Sequence, residues 1–239
     1  MKIKLREVMD KIESGNFSPE TYEQLHKSLR RSGSDFLRSQ HCRGLAQQVL
    51  KSNSTEAKDY ALLLLNDAEK MYADCSGTEL SSIWQSKGNL FFDLGEYEKA
   101  YDNFLKWEKA YTTKQSGLGG VHHDLLRSVL LQDNFTMSNE LKRVYTLSKQ
   151  ESNFIVTRNM KLYWLVSEMI MALHENDMDL LKSRQLEALQ IIDTRNRPSD
   201  LEKTYKKNRI KDDVSLPDKV IDYIKRHEGN NNNAKHSER

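Results

Sequence analysis

Cysteine, proline and glycine are all scarce in this sequence, and each scarcity removes a class of protein. Only Cys42 and Cys75 occur among 239 residues, in no CxxC spacing. A disulfide-stapled scaffold is therefore excluded, and a reducing, cytoplasmic setting is expected. Three prolines and ten glycines are too few for sandwiches, barrels or propellers, since ordinary proteins carry about 5% Pro and about 7% Gly and strand-rich ones need their tight turns. No long apolar run appears. With 37% hydrophobic and 30% charged residues, the chain is too polar for a membrane span and too apolar for general disorder. Its start, Met1 to Glu7, lacks the apolar segment of a secretory signal. An excess of one charge is missing too: 37 Lys plus Arg against 35 Asp plus Glu leave +2, so no overall field selects nucleic acid or an anionic membrane.

What is present is helical periodicity in a chain long enough to bury a substantial core. Ala57, Tyr60, Ala61, Leu64, Leu65, Ala68, Met71 and Tyr72 recur at three- and four-residue steps and mark one helix face. Asn53, Ser54 and Thr55 ahead of them offer N-caps. Ser18 followed by Pro19 opens another helix, with Tyr22, Leu25 and Leu29 inward and Gly33 closing it. The same reading predicts helices over 2–14, 19–32, 35–51, 55–74, 78–94, 96–114, 121–132, 137–149, 153–174, 178–194, 199–210 and 217–227. The tail 229–239, with Asn230 to Asn233, is expected to be disordered.

Helices of this length on short connections form antiparallel hairpins, and their turns are regularly spaced. Asn53, Gly95, Asn134 and Asn176 lie 42, 39 and 42 residues apart. A fixed step near 40 residues marks a stacked helical repeat, although an irregular bundle of similar helices gives comparable spacing. The segment from Trp84 to Phe104 favours the repeat. Trp84, Gly88 and Phe91, the Gly95-Glu96-Tyr97 turn, then Ala100 and Phe104 resemble a tetratricopeptide repeat, W-x2-L-G-x2-Y followed by A-x3-F. Small Gly88 and Ala100 allow two helices to approach, while Trp84, Phe91, Tyr97 and Phe104 fill the space around them. The resemblance covers about 34 residues. It departs from the pattern at Lys87, where Leu is usual, at Trp107, where a small residue is common, and at Thr112, where Pro is frequent.

This resemblance implies an all-α fold of stacked antiparallel hairpins, a right-handed α-solenoid with extra terminal helices. Its expected organisation is N-terminal helices in 1–34, repeats in 35–194, capping helices in 195–228 and a tail in 229–239. It also implies a concave surface lined by the first helix of each pair. In the matched pair that surface carries Ser82, Gln85, Ser86, Asn89, Phe92 and Asp93. The following pair supplies His123, Asp124, Arg127 and Leu131. A looser alignment adds Arg43 and Gln47 before it, with Tyr163, Ser167 and His174 after it. Amides there would bond a peptide backbone, and Arg127 would pair with a carboxylate. The Lys- and Asn-rich clamp that some family members use for a C-terminal carboxylate is not reproduced.

Enzymatic constellations are absent from the pattern of the sequence. His122-His123 and His41-Cys42 are adjacent pairs that splay apart on a helix, so they cannot chelate one ion and no metal is expected. Gly117, Gly119 and Gly120 precede a helix like a phosphate cradle, but no Gly-Lys-Ser/Thr follows, and a linker is the better reading. Carboxylate pairs such as Asp212-Asp213 and Glu96/Glu98 sit in polar stretches, without the burial that acid–base chemistry requires. No catalytic residues and no cofactor are expected. The expected role is protein recognition: an adaptor or regulator holding a protein or peptide partner in the groove. The alternative is an immunity-type protein that blocks a cognate toxin with an acidic patch, for which Asp93, Glu96, Glu98 and Asp102 are the candidates. A basic stripe of Lys203, Lys206, Lys207, Arg209 and Lys211, with Tyr205 interleaved, reads first as a solvated face and second as an RNA contact. Neither a membrane nor, on balance, nucleic acid is an expected partner.

Overall fold

The computed structural model describes residues 4–31, 33–52, 54–72, 78–114, 120–151, 157–193 and 216–234, without the side chains of residue 78, 111–114 and 228–234. Eleven α-helices and no strand occur among the described residues. The chain divides into two compact units, Met1–Leu118 and Gly119–Arg239. The division falls inside the stretch 35–194 expected as one repeat array, and each unit holds hairpins of its own. No helix among the described residues is long and apolar enough to cross a membrane. The expected helix 199–210, and with it the basic stripe, lies outside the described residues.

The first unit contains α1 (Leu5–Glu13), α2 (Pro19–Leu29), α3 (Asp35–Val49), α4 (Thr55–Tyr72), α5 (Thr78–Asp93) and α6 (Tyr97–Lys114). Ser18 Oγ accepts from the Thr21 N–H at 3.2 Å while Pro19 takes the first helical position. Ser54 Oγ does the same for the Ala57 N–H at 3.1 Å. In α4 the expected stripe is buried from Ala57 to Tyr72, with Met71 partly so. Each leucine taken fully from water there contributes about 1.5–3 kcal/mol. Helix α3 packs on α4, α4 on α5 and α5 on α6, while α5 also reaches back to α3. At the α5–α6 crossing a Cβ on Gly88 would lie within 3.0 Å of the Phe104 ring, and Ala100 and Phe104 are both 0% exposed. Lys87, at the place where Leu is usual, is buried because Glu69 on α4 accepts its ammonium at 2.5 Å and the Trp84 indole N–H at 2.7 Å.

The second unit contains α7 (Val121–Gln132), α8 (Asn139–Gln150), α9 (Arg158–Glu175), α10 (Met178–Asp193) and α11 (Leu216–Ala234). Ser138 and Thr157 cap α8 and α9. Helix α7 packs on α8, α8 on α9 and α9 on α10, and α9 reaches back to α7. Helix α11 docks on α9 and α10, and its Leu216, Val220, Tyr223 and Ile224 are buried. It extends past the expected end at 227, through Gly229 and the four asparagines to Ala234. Once its docked turns fix the backbone, each added residue gains a hydrogen bond without a new nucleation cost.

The hairpin turns share one geometry. Gly95, Asn134 and Asn176 all have positive φ. The residues after them send N–H groups back over the helix end: Glu96 to Phe91 O, Phe135 to Leu130 O and Asp177 to Ala172 O, each at 2.9 Å. Gly15 repeats the motif, with Asn16 N–H bonded to Lys11 O at 3.0 Å. Left-handed residues close the helices and satisfy the last carbonyls. Asn53 lies outside the described residues.

Candidate functional site

In the first unit the candidate residues lie on α3 and α5, which are in contact. Arg43 on α3 pairs with Glu79 on α5 at 3.1 Å. The other carboxylate oxygen of Glu79 accepts the Gln40 amide at 3.0 Å. The Arg43 guanidinium on this face is therefore neutralised. Gln47 is exposed, while Ser82, Gln85, Ser86 and Asn89 are half-buried. Ser86 turns its hydroxyl to Ser82 O at 2.8 Å, a bond within its own helix. Phe92, expected on the concave wall, is instead 7% exposed with its ring set edge-on against Tyr97 at 5.2 Å. It belongs to the core because the hairpin turn folds Tyr97 over it.

The acidic candidates Asp93, Glu96, Glu98 and Asp102 are exposed at the end of the α5–α6 hairpin. Cations are interleaved among them. Lys99 pairs with Glu96 and lies 5.6 Å from the Phe91 ring, and Lys58 donates to the Asp93 carbonyl at 3.5 Å. The local field is thus weaker than four carboxylates suggest.

In the second unit the candidate side chains turn inward. The His123 ring lies 5.5 Å from the Trp164 ring. Trp164 Nε1–H donates to Ser148 Oγ at 2.7 Å, and Ser148 in turn meets His123 Nδ1 at 2.6 Å. Indole only donates, so Ser148 is left to donate its own hydroxyl hydrogen to Nδ1 of a neutral imidazole, whose Nε2 has no hydrogen-bond partner among the described residues. Burial lowers the His123 pKa to about 4, helped by neighbouring His122 and opposed by Glu151. Asp124 and Arg127 pair along the helix at 2.9 Å, with side chains only 14% and 12% exposed. Burial pushes the Asp124 carboxyl up, against the pull of Arg127 and with the push of Glu151. The guanidinium expected to meet a partner's carboxylate is already taken up by its own helix. Tyr163 and Ser167 are buried as well, the hydroxyl of Ser167 bonding Tyr163 O at 2.8 Å. Leu131 is half-buried, and His174 is exposed.

Glu151 organises this cluster. The N-cap of α7 is Gly120, which has no side chain to cap the helix, so the orphan N–H of His122 is met from across the hairpin by Glu151 Oε2 at 3.3 Å. Glu151 Oε1 also faces His122 Nδ1 at 2.7 Å, without hydrogen-bond alignment. A second hub lies on α9, where Glu168 accepts Tyr145 OH from α8 at 2.5 Å and meets Arg184 from α10 at 2.5 Å. Lys149 approaches the same carboxylate at 3.4 Å and sits 4.5 Å over the Trp164 ring. Sequence reading passed over Glu79, Ser148, Glu151 and Trp164. The missing cap at Gly120 was the signal for Glu151, since an antiparallel hairpin brings the end of α8 beside the start of α7.

A third cluster links α2 to α4 in the first unit. Asp67 accepts from Tyr22 OH and meets His26 Nε2 at 3.0 Å. Burial pushes Asp67 up, but the hydrogen bonds from His26 and Tyr22 outweigh it and hold the carboxyl below its ordinary range. Burial raises the Cys42 thiol to about 12, with Asp67 adding to the effect, so this cysteine stays a thiol in the core. Among the described residues no group of three or more His, Cys, Asp or Glu is placed to hold a metal ion. Cys75, Gly117, Gly119 and the Asp212-Asp213 pair lie outside the described residues. No protein-family model, no curated protein and no solved structure matches this chain.

Proposed function

We propose that this chain is a non-catalytic interaction module whose hairpins stack in the tetratricopeptide manner within each unit. It holds an extended segment of a partner protein on the α3–α5 face of the first unit. The stacking is supported by the contact order, in which each hairpin packs internally and α5 reaches α3 as α9 reaches α7. It is supported too by the repeated left-handed turns and by the Gly88–Phe104 approach. The recognition surface is carried by one observation: Gln47, Gln85 and Asn89 lie on neighbouring helices whose guanidinium, Arg43, is already neutralised by Glu79. Such a face offers amide donors and acceptors to a peptide backbone and little net charge to a terminal carboxylate.

A photo-crosslinking residue at position 85 would trap the partner segment, which is then synthesised and titrated. The expected result is a Kd that changes less than about three-fold between about 50 and about 500 mM salt, and that rises at least about ten-fold in Gln47→Ala/Asn89→Ala. Unchanged affinity in that variant overturns the reading. The immunity-type alternative rests on the exposed carboxylates Asp93, Glu98 and Asp102. It predicts instead a steeply salt-sensitive complex with a basic partner, lost when these three are made neutral.

A further inference from the structure

Seven described residues have positive φ, and six of them are Gly15, Gly33, Gly95, Gly120, Asn134 and Asn176. Glycine accepts this conformation without steric penalty, and asparagine tolerates it. The seventh is Phe135, at φ 59, directly after Asn134 in the α7–α8 turn. A bulky side chain in the left-handed region is strained and persists only where its surroundings hold it. Phe135 is 6% exposed, and its ring meets Tyr223 of α11 edge-on at 5.8 Å. Tyr223 is itself 3% exposed, backed on its own helix by the His227 ring at 4.6 Å. The other hairpin turns closed in this way, at Gly15, Gly95 and Asn176, place Asn16, Glu96 and Asp177, all exposed, at the corresponding position.

We infer that α11 is a latch on the α7–α8 turn: docking of Tyr223 holds Phe135 in its left-handed conformation, and undocking of α11 and relaxation of that turn are one event. Coupling between two sites is reciprocal, so loosening either end loosens the other. The latch is independent of the peptide-binding face, which lies in the other unit.

Amide hydrogen exchange on the full-length protein tests it. Tyr223→Ala is expected to speed exchange of the α11 amides and of the Phe135 amide by about ten-fold or more, with the Glu96 amide of the α5–α6 turn unchanged. Tyr223→Phe keeps the ring and should leave all three as in the parent. In Phe135→Gly the turn is relaxed in advance, so adding Tyr223→Ala should no longer speed exchange at position 135. The inference is overturned if the α11 amides speed up while Phe135 stays protected, if Tyr223→Ala leaves α11 protected, or if the turn in the Phe135→Gly background still responds.

Discussion

On α5 of the first unit, Gln85, Ser86 and Asn89 stay half-exposed beside an Arg43 closed off by Glu79. On α7 of the second unit, His123, Asp124 and Arg127 are instead drawn into the helix contacts, where His123 meets Ser148 and Asp124 pairs with Arg127. These helices open successive hairpins, yet on one the polar groups stay half-exposed and on the other they pair within the unit. A charged or aromatic side chain at a nominally outward position is therefore weak evidence for binding until its internal partners are known. Amides and hydroxyls are better indicators here, because they can remain half-exposed without demanding a counter-charge.

The comparison breaks most severely at its packing. Gly88→Ala would push a methyl into the Phe104 ring, which is fully buried. A loss of about 3 kcal/mol is expected, confined to the first unit and measurable by denaturant unfolding followed with hydrogen exchange. The two arginines sharpen it next. Arg127→Ala strands the nearly buried Asp124 and is expected to cost about 3 kcal/mol. Arg43→Ala, whose pair is 24% and 17% exposed and whose Glu79 keeps the Gln40 amide, should cost less, about 1–2 kcal/mol. Equal losses would erase the distinction drawn between the units.

Acid separates the units again. His123 takes up its proton near pH 6.5 when unfolded and near pH 4 when folded. Between those values the unfolded chain holds more protons. The stabilisation from neutral His123 is thus complete above pH 6.5 and fades as the pH falls to 4, by about 2 kcal/mol after its partial exposure is discounted. Protonation of Asp124 works in the other direction, since burial has raised its carboxyl. The parent-minus-His123→Gln difference isolates the histidine. In the first unit, burial of Glu69 is outweighed by hydrogen bonds from Lys87 and Trp84, and its carboxyl is lowered from 4.5. With Asp67 it stabilises that unit above the ordinary carboxylate range and is lost only in stronger acid. The second unit should therefore loosen first on acidification, as read by unit-specific exchange. Smallest of all, Gln47→Ala/Gln85→Ala should shift stability by less than about 0.5 kcal/mol, because partly exposed amides support little of the fold.

Much of the fold was legible because helical periodicity is a local signal. The α4 stripe and the Ser18-Pro19 start are visible without any tertiary knowledge, and so are the turn residues Gly95, Asn134 and Asn176. Gly88 was readable too, since a small residue beside large aromatics implies close approach. The site was less legible. Whether Arg127 meets a partner or Asp124, and whether Phe92 faces a groove or Tyr97, depends on which groups the hairpin brings within a few ångströms. Ser148 and Trp164 look ordinary in the sequence, and only the packing of α8 on α9 joins them to His123. Phe135 carried no local sign of its left-handed backbone, because that conformation is imposed by α11, nearly ninety residues later.

Hydrogen exchange of the chain with its cross-linked segment bound reads directly which face meets a partner. Binding on the proposed face slows exchange in α3 and α5 and leaves α7 and α8 as in the free protein. Protection confined to α7–α8, or to the acidic end of the α5–α6 hairpin, would contradict it.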